Sequence, residues 1–129
     1  MKPIFILFVL SFAFISPSFL CEKTKLPSGC YKGRLELKGI CMNYTVKIIE
    51  GNIDTSLIQS SWTNPSNGVT YKNVFKLGSV CDFPADINQG DCFYFKIGNT
   101  NNQGCAVCQA YYPTPQKVLS ITVSKAPCN

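Results

Sequence analysis

Cys105-Ala106-Val107-Cys108 is the one short motif in this 129-residue chain whose residue types and spacing suggest a specific chemistry. A C-x-x-C pair shuttles electrons when its first thiolate is stabilised at a helix N-terminus, which lowers the thiol pKa. No helix of useful length can begin here, because Gln109-Ala110-Tyr111-Tyr112 is β-prone and Pro113 and Pro115 interrupt the chain directly after it. On an extended strand Cys105 and Cys108 point to opposite faces with Cα atoms about 10 Å apart, too far for a mutual bond, so each is expected to pair elsewhere. The other cysteines, Cys21, Cys30, Cys41, Cys81, Cys92 and Cys128, contain no second C-x-x-C. That argues for structural bridges over a four-cysteine metal site, with a connectivity that spacing alone does not choose. A thiol–disulfide redox protein acting through Cys105 and Cys108 stands as the alternative.

The chain has no histidine. Without imidazole there is no Ser-His or Cys-His nucleophile, no imidazole acid–base pair and no histidine-containing zinc site. Carboxylates remain in Glu22, Glu36, Glu50, Asp54, Asp82, Asp86 and Asp91, yet no spacing forces two of them to the roughly 5–10 Å separation a glycosidase needs. They read as solvated surface acids. The expectation is a non-catalytic protein that needs no cofactor or metal.

Asn43-Tyr44-Thr45 is the one acceptable N-glycosylation sequon, since proline disqualifies Asn64-Pro65-Ser66. In a eukaryote Asn43 would lie on the polar face of its strand and could carry glycan; in a bacterium the tripeptide has no such meaning. Trp62, Tyr71, Tyr94, Tyr111 and Tyr112 are available to line a sugar or ligand surface, although most are expected to fill core. Tyr111 and Tyr112 cannot face one side of a strand together, so one of them is expected outside.

The N-terminus places these residues in a compartment. Lys2 precedes an apolar run over residues 4–15 that ends in Ser16-Pro17-Ser18, the pattern of a secretory signal over residues 1–18 with a mature start near Phe19. The run falls short of the about 20 apolar residues of a membrane span, so no stable span is expected after cleavage. Lipid attachment at Cys21 is a lesser alternative, because Leu20 stands where Gly, Ala or Ser is wanted. Residues 19–129 then make one secreted domain, periplasmic if the host is bacterial, where bridges form and persist.

Twelve Lys and Arg against seven Asp and Glu give a net charge of +5. The excess is dispersed rather than clustered, and the chain has a single arginine, Arg34, so a nucleic-acid partner is not expected. A protein, a glycan or a small ligand remains.

Positioning of all these residues falls to short alternating strands. Leu35 and Leu37 alternate with charged neighbours, then Met42, Tyr44, Val46 and Ile48 do the same. Asp54 or Ser56 could cap one helical turn before Leu57. Asn64-Pro65-Ser66-Asn67-Gly68 closes a hairpin between Trp62-Thr63 and Val69-Thr70-Tyr71, since Asn-Gly suits positive φ. Strands are also expected at residues 92–97, with Phe93, Phe95 and Ile97 on one face, at residues 105–112, and at residues 117–123. Six or seven such strands without a long helical pattern predict a small, disulfide-stabilised all-β domain, an antiparallel sandwich or barrel. The polar loop at residues 98–104, with Asn99, Asn101 and Asn102 between Tyr94 and Tyr111, is the expected recognition surface; a plain connecting spacer is the alternative.

Overall fold

A computed structural model describes Cys21, residues 25–98 and residues 104–128. The expected signal over residues 1–18 and the loop residues Asn99, Asn101 and Asn102 lie outside the described residues. Among the described residues the protein is all-β, with seven strands in one sheet. They are β1 (Tyr31–Lys38), β2 (Tyr44–Glu50), β3 (Gln59–Thr63), β4 (Thr70–Leu77), β5 (Cys92–Ile97), β6 (Val118–Leu119) and β7 (Ile121–Ser124).

The pairing order is β3-β4-β2-β1-β5-β7, antiparallel throughout, with β6 added to β4 in parallel. Phe75 of β4 and Phe95 of β5 meet edge to face with ring centroids 6.0 Å apart, although β2 and β1 lie between them in that order. In a flat sheet three strand steps would separate them by about 14 Å. The sheet therefore curls around one core that holds Leu35, Val46, Phe75, Leu77, Phe93 and Phe95.

Two irregularities give the sheet a second apolar face. A register shift between Leu35 and Leu37 breaks the alternation of β1, so Leu35 enters the main core while Leu37 turns to the other side and packs with Trp62 and Val74. In β4 Asn73 adopts φ 53, and around it Tyr71 and Val74 serve the second cluster while Phe75 and Leu77 serve the first.

Several local expectations are met. Asp54 accepts the Ser56 N–H at 2.9 Å and caps the 3₁₀ turn Thr55–Leu57. The β3–β4 hairpin turns at Asn64-Pro65-Ser66-Asn67-Gly68, with Gly68 at φ +70 donating to the Asn64 carbonyl at 2.8 Å.

Others change. Residues 117–123 do not make one strand: Val118–Leu119 pairs with β4 and Ile121–Ser124 with β5, with the change of partner at Ser120. Residues 105–112 form no strand at all. Their composition favours extended backbone, but a strand needs a ladder, and Pro113 and Pro115 lack the N–H groups to extend one.

All eight cysteines are bridged: Cys21–Cys92, Cys30–Cys128, Cys41–Cys108 and Cys81–Cys105. Three of these are nested, Cys30–Cys128 enclosing Cys41–Cys108, which encloses Cys81–Cys105. With its sulfur joined to Cys92, Cys21 has none left for a lipid thioether.

Candidate functional site

Cys105 and Cys108 hold the two ends of a short staple line. Cys81 sits in the 3₁₀ turn Val80–Asp82 after β4, and Cys41 sits in the turn Ile40–Met42 between β1 and β2. The segment from Gly104 onward is thus pinned at Cys105 and again at Cys108, and residues 104–111 between and beyond the pins are exposed. Further along, the strap is seated. Asn43 Nδ2 donates to the Ala110 carbonyl at 3.4 Å, and Gln59 Oε1 accepts the Gln116 N–H at 2.9 Å. Tyr112 lies so close over Gly39 that a Cβ there would stand 2.5 Å from its ring and 2.5 Å from the Asn43 carbonyl, so a side chain at residue 39 would displace the strap or the turn beneath it. Pro113 and Pro115 are buried.

The turn that receives Cys108 is itself under constraint. Cys41 and Met42 both hold left-handed backbone, φ 55 and 57, where an L side chain crowds its own carbonyl at about 1–2 kcal/mol per residue. Large apolar side chains stand open on this end of the molecule. Ile40 is 59% exposed and Tyr111 84%, with Val107 between the two strap cysteines also in solvent. Of the two adjacent tyrosines, then, Tyr111 is outside and Tyr112 is packed.

Tyr94 lies elsewhere. It pairs with Lys32 across β1 and β5, and Lys32 Nζ stands 5.5 Å from the centre of its ring. Lys32 is only 6% exposed, so this cation–π contact is made largely out of water, where it is strongest. The pair lines a cleft of about 570 Å³ with Asp86, Asp91, Cys92 and Lys125. Lys125 is hydrogen-bonded to Asp86 at the cleft, and that bond with the ammonium charge holds the Asp86 carboxyl below its ordinary pKa. Lys38 anchors the loop that carries these acids, donating from Nζ to the Ile87 carbonyl at 2.8 Å and the Ala85 carbonyl at 3.2 Å. Tyr111 is not among the residues that line this cleft.

Asn43 is not on the polar face of a strand. It follows the turn Ile40–Met42, and its Nδ2 donates to the Ile40 carbonyl at 3.0 Å as well as to Ala110. The sequon's third residue, Thr45, is in β2 and fully buried, facing Leu37 by register. Its Oγ1 has no hydrogen-bond partner.

The remaining charges are engaged or scattered. Arg34 Nε donates to Glu36 Oε1 at 2.6 Å, which occupies the one guanidinium. Among the described residues no three of His, Cys, Asp and Glu gather as metal ligands. Sequence pattern singles out Tyr94 but not its partner Lys32, because the register that brings β1 beside β5 carries no local signal. No protein-family model, curated protein or solved structure matches the chain, and its function has to be read from its own residues.

Proposed function

We propose that the protein is an exported, non-catalytic β module that presents a disulfide-pinned strap for binding or for a structural contact. The observation that carries this reading is the fate of the C-x-x-C pair. Cys105 joins Cys81 and Cys108 joins Cys41, so the two sulfurs serve two separate staples. A strap fixed at two points loses little conformational freedom on association, which favours binding through the side chains it offers, here Val107 and Tyr111. Export is supported by four bridges, which suit an oxidising compartment. Among the described residues no helix is long and apolar enough to cross a membrane.

The test is alkylation mapping under graded reductant. The expected result is no free thiol in the native protein and no release of Cys105 with Cys108 while the sheet stays folded. Recovery of a mutual Cys105–Cys108 disulfide, or of that pair as a dithiol at mild reductant with the fold intact, overturns the proposal in favour of thiol–disulfide exchange.

A further inference from the structure

We propose that Asn43 accepts an N-linked glycan and that the Thr45 hydroxyl is present for the glycosyl transfer, not for the fold. The proposal rests on the export reading, through a eukaryotic secretory pathway. Thr45 is fully buried in β2 and its Oγ1 has no partner. Valine has nearly the same shape, an equal preference for strands and no hydroxyl to leave unsatisfied, so it would serve this site in the folded protein better than threonine does. What valine lacks is the hydroxyl two residues after an asparagine, which the transferase requires. The fold bears an orphaned hydroxyl whose use comes before folding.

The acceptor is placed to match. Asn43 lies outside the strand ladder, and both carbonyls that its Nδ2 meets, those of Ile40 and Ala110, belong to exposed residues. An amide nitrogen carries two hydrogens. Replacing one by a sugar leaves the other for the shorter bond to Ile40 and gives up only the longer one to the strap. Timing is favourable as well. Cys41 stands two residues before the acceptor, and its partner Cys108 comes 67 residues later. The neighbouring bridge therefore cannot close over Asn43 until residue 108 has emerged.

The donor is an oligosaccharide carried on a lipid diphosphate. The bond from sugar C1 to Asn43 Nδ2 forms as the bond from C1 to the diphosphate oxygen breaks. The lipid diphosphate leaves with that electron pair, and the amide gives up one proton to it.

The experiment secretes the full chain from a eukaryotic cell line and compares intact mass before and after a glycoamidase. Wild type should lose a glycan mass, with Asn43 converted to Asp in the released peptide. Thr45→Ser should keep the glycan, while Asn43→Gln and Thr45→Val should lose it. Wild type and Thr45→Val are also made without glycosylation in a bacterial periplasm, where the valine protein should melt at or above wild type. Secreted, fully bridged wild type with bare Asn43 overturns the proposal and leaves the export reading standing; retention of the chain in the cytosol removes both. A periplasmic Thr45→Val protein that melts well below wild type gives the hydroxyl a place in the fold and overturns its assignment to the transferase.

Discussion

Ser79 Oγ donates to the Ile121 carbonyl at 2.8 Å and accepts the Ile121 N–H at 2.9 Å, one buried hydroxyl serving both backbone groups of one residue. Ile121 begins β7, where the chain has just left β4 and joins β5. Ile121 lies opposite Ile97 in that pairing, and its own N–H and carbonyl both meet the Ser79 hydroxyl. Ser79→Ala leaves a buried donor and acceptor unpaired and should destabilise the protein by about 1–3 kcal/mol. Urea melts of the two proteins, with bridges intact in both, measure it. An unchanged midpoint would mean that water or a shifted backbone satisfies Ile121.

Gly68 and Gly104 should respond differently to substitution. Gly68 holds φ +70 with nothing within 4 Å of a built Cβ, so the penalty for Gly68→Val is purely conformational, about 1–2 kcal/mol for a β-branched side chain forced into the left-handed region. Gly104 also has open space around it and no positive φ, so Gly104→Ala should shift the melting temperature little. Equal losses at the two positions would contradict the assigned turn.

The strands were legible because half-burial writes itself as alternation: Leu35, Val46 and Phe95 all sit where period two puts them, and Asp54 caps the turn its side chain suits. What local pattern does not carry is register. Leu37 comes two residues after Leu35 and reads as its neighbour, yet a bulge sends it to the other face. The same gap hides the meeting of Lys32 with Tyr94, the pairing of Cys105 with Cys81, and the orphaned Thr45 hydroxyl, since each depends on which strands lie side by side. Residues 105–112 misled for a different reason. Propensity describes the backbone angles a segment favours and says nothing of whether a partner strand is within reach.

Acid should weaken the fold slightly through two exposed carboxylates. Asp86, bonded to Lys125, and Asp54, bonded to the Ser56 N–H, both hold their protons less tightly than ordinary aspartates. A folded pKa below the unfolded one gives stabilisation that is complete above the unfolded value and disappears as pH falls through the folded one. The melting temperature should therefore decline below about pH 4. Asp86→Asn should flatten part of that decline. Salt of about 1 M should do the same to the Asp86 part more than to the Asp54 part, because an exposed ion pair is screened and a backbone hydrogen bond much less. A decline that Asp86→Asn leaves unaltered would exclude the Lys125 contact as a contributor in solution.

Removing the Cys41–Cys108 staple should free the strap before it threatens the sheet. In the chain-entropy account a bridge stabilises by shortening the unfolded chain's reach, and Cys30–Cys128 already encloses this span, so the loop still to be closed is only the difference between separations of 98 and 67 residues. A loop of that size corresponds to about 3–4 kcal/mol. Against this, Cys41 and Met42 can leave their left-handed conformations once the bridge is gone, which returns about 1–2 kcal/mol for each residue that relaxes. The double variant Cys41→Ser, Cys108→Ser should thus lose no more than about 1–3 kcal/mol by denaturant melts. Limited proteolysis should in the same protein show new cleavage within residues 104–111, after Tyr111 first, with the rest of the chain still resistant. Loss of the full loop-closure value with no new cleavage would show that Tyr112, Pro113 and Pro115 seat the strap unaided and that the turn carries no releasable strain.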